Sequence, residues 1–366
     1  MLMALRNEQL VLARDANKKH HYFCPKCGSS VKLKIGMNRQ PYFAHLQKLG
    51  SIEAESAQHK DGKQQLLEDM LKQRLNAQTE VVMSNHEQRA DVYVPDAKIV
   101  LEYQCSSISV SNVAKRTSEY KDSEIDVWWI LGDNYLKRRL TIATIQKFAR
   151  FKVECGFYLI FYSVIQRKYV IWSHIQEANG QYTYQSIGFY SLHECWLSRN
   201  QITYKVPTRH QRKLEILKES KRIQIGILKK NSSCAELAEL CYQRGKLLAG
   251  APNVCHSLNG RFYPLFLKGG FDFRLRMLFT ITDYRGEFLN NEELWQLYQE
   301  ILRQYQINFV QVRGVSQFYL IEFRRFIRDL REASVIKYSN NGIKLIASPD
   351  WYSDYEHKRL AIEQIE

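Results

Sequence analysis

Apolar and polar residues alternate along two neighbouring runs, 89–94 and 98–104, which are separated by Pro95-Asp96-Ala97. A period of two is typical of a half-buried β-strand, and a short break between two such runs predicts a hairpin. Residues 10–13 and 79–84 also predict strands, and the apolar run 125–131 predicts a buried strand that ends at Gly132.

Two other segments have helical spacing. Over about 53–75 the apolar residues recur at intervals of three and four, which is typical of an amphipathic helix. They are Leu66, Leu67, Met70, Leu71 and Leu75. Residues 111–121 predict a second helix, on which Arg116 and Tyr120 share a face. The predicted order is therefore helix, three strands, helix and strand.

Beyond residue 150, the runs 157–163 and 168–172 predict another hairpin, which 182–189 could extend. Residues 207–230 predict a basic amphipathic helix, and a second basic helix is expected around 324–331. A chain of 366 residues exceeds the usual size of one domain. We expect a mixed α/β (α+β) multidomain protein, with boundaries at 1–50, 51–150 and 151–366 and a mainly helical last region.

The formal net charge of +15 indicates a polyanionic partner, and nucleic acid is the interpretation we favour over a merely soluble surface. The chain has no apolar run of about 18 residues and no evident signal peptide, so we expect a cytoplasmic protein without membrane insertion. Eight cysteines, scattered except for one pair, fit a reducing compartment.

Basic side chains are the candidate DNA contacts, through attraction to phosphates. They are Arg89, Arg116, Arg209, Arg212, Lys213, Arg324, Arg325 and Arg328. Such faces are often only solvated, and the aromatic residues near 262–273 fit core packing better than base stacking.

Two acids lie in the hairpin, Asp91 at the start of its first strand and Glu102 towards the end of its second. In an antiparallel pair these positions are neighbours, and Gln104 points to the same face as Glu102. Converging oxygen ligands predict a divalent metal such as Mg²⁺.

Cys24 and Cys27 have the Cys-x-x-Cys spacing that lets two thiolates bind one Zn²⁺ ion. His45 is the best third ligand, whereas His59, His20 and His21 compete for the fourth place. The alternative is a pair of structural or redox thiols.

Glu55, His59 and Lys63 follow each other at steps of four on the first predicted helix. Each such step rotates the position by about 40°, so the three side chains form one ridge. The ordinary interpretation is an exposed face with an acid–base pair. A histidine between an acid and a base, just ahead of two acidic strands, favours a functional ridge.

Several motifs follow one another in a characteristic order. They are Phe23-Cys24-Pro25-Lys26-Cys27, Tyr42-Phe43-Ala44-His45, Glu55-x-x-x-His59-x-x-x-Lys63, Gln88-Arg89-Ala90-Asp91-Val92, Glu102-Tyr103-Gln104-Cys105-Ser106 and Trp128-Trp129-Ile130-Leu131. In this the chain resembles the CoiA family of competence proteins. The resemblance implies a zinc-finger-like amino-terminal segment and a PD-(D/E)xK restriction-endonuclease-like αβββαβ core. It also implies action on incoming DNA during natural transformation, at the recombination stage. The partners we expect are DNA, single-stranded by preference, and recombination proteins.

In such a nuclease site, Asp91, Glu102 and the carbonyl of Tyr103 would bind Mg²⁺ or Mn²⁺. Gln104 stands where the usual motif has a lysine, and it is only a neutral donor and acceptor. Lys63 would then supply the positive charge. Glu55 and His59 would complete the metal or water contacts, so we favour this site over zinc for His59.

Three functions stay open. The first is a Mg²⁺-dependent DNA nuclease, and the second is a catalytically silent single-stranded DNA-binding protein that keeps the acids as a metal-assisted phosphate clamp. The third is a structural protein whose acids only pair with Arg89 and Arg116.

Overall fold

The structure is a computed structural model that describes residues 2–7, 9–25, 28, 30–36, 39–45, 57–83, 88–178, 180–198, 204, 206–257, 261–284 and 287–364. The chain forms two compact units, Met1–Ser56 and Ala57–Glu366.

The first unit is an antiparallel sheet in the order β2-β1-β3-β4-β5. Its strands are β1 (Met3–Arg6), β2 (Gln9–Leu12), β3 (Tyr22–Phe23), β4 (Ser30–Gly36) and β5 (Arg39–His45). Along β4, Val31 and Leu33 are buried against Phe43, whereas Lys32 and Lys34 are exposed. The alternation therefore gives this small sheet one apolar face.

The second unit has a large sheet in the order β13-β12-β11-β9-β8-β7-β6, with β10 paired to β11. Its strands are β6 (Gln78–Met83), β7 (Gln88–Val94), β8 (Ile99–Gln104), β9 (Asp126–Leu131), β10 (Arg150–Lys152), β11 (Gly156–Ser163), β12 (Lys168–Ala178) and β13 (Gln181–Phe189). The pairs β8–β9 and β9–β11 are parallel, and the others are antiparallel.

Helices cover this sheet and fill the rest of the unit. They are α1 (Ala57–Lys72), α2 (Val110–Asp122), α3 (Asp133–Leu136), α4 (Ile142–Phe148), α5 (Leu192–Ser198), α6 (Arg209–Leu228), α7 (Ser232–Tyr242), α8 (Gly270–Asp283), α9 (Asn291–Leu302), α10 (Val315–Glu332) and α11 (Tyr355–Gln364). A second sheet joins β14 (Phe288–Asn290), β16 (Gly342–Leu345) and β15 (Ile336–Ser339) in that order.

The period of two in β8 separates two cores on opposite faces of the sheet. Leu101 and Tyr103 pack in the core that includes Leu66 of α1. Val100 packs in the other core, together with Val113 of α2. Glu102 has the same parity as Val100, so its side chain is directed towards α2.

The predicted mixed α/β class is confirmed, and the strands expected over 157–163, 168–172 and 182–189 are present as β11, β12 and β13. Strands β10 to β13, over residues 150–189, continue the sheet across the boundary that we expected at residue 150. Their apolar residues pack in both cores, which explains why the sheet extends. The basic helix expected over 207–230 is also confirmed: it is α6, which begins at Arg209, where Thr208 and Gln211 form a capping box.

Buried charges hold the carboxy-terminal helices together. His256 Nδ1 lies 2.7 Å from Glu219 Oε2 of α6, and its Nε2 lies 2.8 Å from Lys358 Nζ of α11. All three side chains are buried. Nearby, Arg274 of α8 donates to Asp329 of α10 at 2.6 Å. Each of these charges has a partner, as burial requires.

None of the helices among the described residues combines the length and the apolar character that crossing a membrane would require.

Candidate active site

Asp91 lies next to the last paired residue of the ladder between β7 and β8. Val92 pairs with Leu101, but the N–H of Tyr103 donates to Asp91 Oδ2, at 2.9 Å. The carboxylate therefore takes the place of a backbone acceptor and is fixed at the edge of the ladder.

Helix α1 approaches this point closely because Gly62 has no side chain. A Cβ atom there would lie 1.9 Å from Cε1 of Tyr103. The close approach brings His59 Nε2 to 3.3 Å from Asp91 Oδ2, and Lys63 Nζ to 4.0 Å from Asp91 Oδ1. The His59 ring is stacked with that of Tyr103, with centroids 6.0 Å apart. Two of the three residues on the predicted ridge therefore lie beside Asp91.

Glu80 is a residue of this site that the sequence did not indicate. Its carboxylate forms ion pairs with Lys63 and with Arg89. Glu80 lies within β6 at a φ of 60°, in the left-handed region, which no pattern of apolar residues predicts. Arg89, which we expected to contact DNA or an acid of the hairpin, thus pairs with Glu80.

Glu102 lies on the other face, in a pocket made by α2 and β9. Nη2 of Arg116 donates to both carboxylate oxygens, at 2.6 and 2.7 Å, and the Tyr120 hydroxyl also donates to Oε1. The Arg116 guanidinium in turn lies 5.6 Å from the ring centroid of Trp129. Arg116 and Tyr120 thus share a face, as their spacing predicted.

The two acids influence each other electrostatically. Burial, followed by the negative charge of Asp91, raises the pKa of Glu102 to about 8, although Arg116 and Tyr120 act in the opposite direction. The side chain is only 2% exposed, so water does little to screen these charges.

Gln104 is half-buried, and its Nε2 donates to the carbonyl oxygen of Ser106 at 2.8 Å. Within the described part of the chain its hydrogen bonds go to Ser106 and not to either acid. The amide therefore holds the loop after β8.

Some of the residues predicted to bind metal lie outside the described part of the chain. Glu55 and Cys27 are among these, and of His45 the structure describes only the backbone, in β5. Cys24 is buried, and the N–H of Gly28 donates to its carbonyl oxygen at 2.8 Å. Gly28 has a φ of 67°, in the left-handed region that favours glycine.

The oxygen atoms of Asp91 and Glu102 are of the type that Mg²⁺ prefers, since it binds through one or two carboxylates and keeps several waters. The two acids lie on adjacent strands, and the negative charge of Asp91 contributes, after burial, to the raised pKa of Glu102. In the described ranges no three His, Cys, Asp or Glu side chains form a metal cluster. These oxygens could hold a hydrated Mg²⁺ but not a closed cage.

The basic residues expected to bind DNA lie in different surroundings. Arg209 and Arg324 are exposed on α6 and α10. Lys213 donates to the carbonyl oxygen of Glu363, Arg325 pairs with Glu322 at 2.8 Å, and Arg328 Nε lies 3.8 Å from Glu332. Arg212 is half-buried. Several of these charges are therefore at least partly compensated within the protein.

Comparison with known proteins gives two family matches along the chain. Residues 4–50 match the amino-terminal domain of competence protein CoiA, and residues 55–203 match the nuclease-like domain of the same protein. Competence protein CoiA of Bacillus subtilis (strain 168) is 31% identical over 205 residues, which are 53% of this chain and 52% of the relative. The alignment thus spans about half the length of that relative. No solved structure matches.

The nuclease-like match includes every residue of the site around Asp91 and Glu102, and it continues through β13. It therefore agrees with the sheet, which also runs past residue 150. Together, the two domains in their order along the chain show that this protein belongs to the CoiA family of competence proteins.

Proposed function

We propose that the protein is a Mg²⁺- or Mn²⁺-dependent DNA nuclease of PD-(D/E)xK type, with Asp91 and Glu102 as its metal ligands. The observation that carries the proposal is the placement of Asp91. It is anchored by the Tyr103 N–H, has His59 and Lys63 beside it, and is electrostatically coupled to Glu102 on the next strand. The elements from α1 to β9 follow one another as helix, three strands, helix and strand, and this order also supports the proposal.

Asp91 would be the primary ligand, with the Tyr103 carbonyl as a further one. Glu102 would join it after exchanging its contacts with Arg116. When bound, Mg²⁺ lowers the pKa of a coordinated water and neutralises charge on the scissile phosphate. The released Arg116 guanidinium has the geometry to hold a phosphate through two hydrogen bonds.

His59 and Lys63 would act on the nucleophile and on the charge that develops. His59 Nε2 is 3.3 Å from the carboxylate, so this ring nitrogen can carry a proton to or from a water held by Asp91. Lys63 brings a positive charge to within 4.0 Å of the same carboxylate. It would supply the charge that Gln104 does not. Glu55 would complete these contacts.

A second candidate is a catalytically silent protein that binds single-stranded DNA. The observation that favours it is the pairing of both Glu102 oxygens with Arg116 and Tyr120, which leaves the second acid engaged within the protein. In that case the acids would form a phosphate clamp, and recombination proteins would process the DNA.

The biological setting that we propose is the cytoplasm of a naturally transformable cell, where the substrate is internalised DNA. A Zn²⁺ ion bound by Cys24, Cys27 and His45 would stabilise the first unit. The hydrogen bond from the Gly28 N–H to the Cys24 carbonyl oxygen supports this proposal.

Cleavage of labelled single- and double-stranded DNA in Mg²⁺, Mn²⁺ or chelator tests the proposal. We expect cleavage that requires metal and is lost in Asp91→Asn. Asp96→Asn is the matched control, because it makes the same change on the exposed turn of the same hairpin. DNA binding without cleavage in any metal would decide for the silent binding protein.

A further inference from the structure

A cleft with an aromatic floor lies over strands β11 to β13. Its volume is about 720 Å³, and its wall includes Asp133, Lys137, Lys168, Trp172 and Tyr184. We propose that this cleft binds an unpaired segment of DNA, with one base stacked on Tyr184 and the backbone held by the lysines. The inference rests on the proposed function and deepens it, since it names single-stranded DNA as the substrate of the same centre.

The floor of the cleft is a pair of parallel rings. The ring centroids of Trp172 and Tyr184 lie 4.0 Å apart at an interplanar angle of 13°. Trp172 is buried beneath, whereas Tyr184 remains 38% exposed. A ring held flat by a second ring is a ready platform for a base, because stacking then costs little side-chain freedom.

Positive charge surrounds this floor. Lys137 is followed in the chain by Arg138 and Arg139, and all three are exposed. Lys168 lies on the opposite wall, where a Cβ at Gly188 would be 3.6 Å from its Cδ. Within the described ranges none of these four cations has a carboxylate partner, in contrast to Arg325 and Arg328.

Asp133 is the one acid that lines the cleft in the described chain, and the four cations outnumber it. Asp133 is buried, and it accepts hydrogen bonds from the Ser163 hydroxyl, the Val164 N–H at 3.0 Å and Gln58 Nε2 at 3.1 Å. The cleft as a whole therefore attracts an anion. Cations near an exposed aromatic ring fit a nucleic-acid strand better than an acidic peptide, which has no bases to stack.

The cleft is connected to the candidate centre through α1. Gln58, which bonds to Asp133 at the inner end of the cleft, directly precedes His59. Two residues after Asp133, the Tyr135 hydroxyl donates to the carbonyl oxygen of Ser106, in the loop that follows Gln104. A strand lying in the cleft would thus reach the first turn of α1, the helix that carries His59. Paired bases are stacked within a duplex, so the platform selects unpaired ones.

Fluorescence anisotropy with labelled oligothymidine tests the inference on the full chain, in chelator so that nothing is cleaved. We expect Tyr184→Ala to raise the Kd about ten-fold, the loss typical of one stacked base. Tyr184→Phe keeps the ring and should keep the Kd. The matched control is Tyr190→Ala, since Tyr190 is 83% exposed just after the same strand and does not line the cleft.

A strand without bases separates stacking from a general structural effect. On an abasic oligonucleotide, Tyr184→Ala and the wild type should bind equally. Lys137→Gln and Lys168→Gln should weaken the binding of both strands, and each should reduce the slope of log Kd against log salt by about 0.7. Thermal unfolding checks that each variant is folded, and Tyr184→Leu replaces Tyr184→Ala if the latter is not.

The inference is overturned if loss of the ring leaves the Kd for oligothymidine unchanged, or weakens abasic binding equally. Poly-glutamate competing as well as oligothymidine would also overturn it, in favour of an acidic polypeptide. Its failure is distinguishable from that of the proposed function. If DNA binding depends on Tyr184 but no DNA is cleaved, only the nuclease proposal is refuted. If DNA is cleaved but its binding does not depend on Tyr184, only the cleft proposal is refuted.

Discussion

The ion pair between Arg116 and Glu102 can be broken by Arg116→Gln, and its contribution to stability can be worked out from the structure. Glu102 is 2% exposed and receives two hydrogen bonds from the guanidinium. Removal of one partner from a buried ion pair costs roughly 3–5 kcal/mol. The Arg116 side chain is 32% exposed and glutamine keeps a donor, so we expect about 2–3 kcal/mol at alkaline pH.

The loss should depend on pH in a defined direction. The pKa of Glu102 is already raised to about 8, and without the positive charge of Arg116 it would rise further. A carboxyl with a raised folded-state pKa destabilises the fold only once the unfolded chain ionises, and the penalty grows until the pH passes the folded-state pKa. Arg116→Gln should therefore cost little near pH 5 and most above about pH 8.

Urea unfolding followed by circular dichroism at both pH values measures this difference. Arg139→Gln, which removes an exposed arginine without a carboxylate partner in the described chain, provides the control and should change little at either pH. An equal loss for Arg116→Gln at both pH values would show that packing, not charge, is what the arginine contributes. No loss at all would refute the buried ion pair.

Three further predictions address the packing and charge around the site. Gly62→Ala should lower the free energy of unfolding by about 1–3 kcal/mol and reduce cleavage, since the added Cβ pushes α1 away from Tyr103. Urea unfolding and cleavage rates check this, and an unchanged variant would contradict the close approach. Lys63→Ala should slow single-turnover cleavage at least about ten-fold while DNA binding persists, and an unchanged rate would exclude its role. His256→Ala should lower the free energy of unfolding by about 3 kcal/mol, because Lys358 is left buried without its link to α6. Thermal unfolding measures it, and wild-type stability would contradict the link.

The sequence indicated the strands of the hairpin and the helix before them, because both have a clear period. Steps of four on α1 were enough to predict that His59 and Lys63 share a ridge, and the structure has both beside Asp91. Side chains alternate between the two faces of a strand, and this alternation in β8 directs Glu102 towards α2. The sequence could not show that Asp91 turns towards α1, because that depends on its bond to Tyr103 at the end of the ladder.

What sequence reasoning missed depends on backbone conformation and on contacts between distant segments. Glu80 joins the site through a left-handed backbone angle. The cleft brings Lys137 beside Lys168 and Tyr184, on three separate elements, and its charges were overlooked in favour of the longer basic runs at α6 and α10. In the run on α10, Arg325 forms an ion pair with an acid of its own helix. A count of charges along the sequence does not reveal such a pair.

The central claim is that Asp91 and Glu102 together hold one divalent metal. Titration of Mn²⁺ followed by electron paramagnetic resonance measures this directly, because bound ions lose the signal of the free ion. We predict a site that is lost in both Asp91→Asn and Glu102→Gln, and that is retained in Asp96→Asn. Wild-type protein that binds no Mn²⁺, or variants that bind it as tightly as the wild type, would contradict the claim.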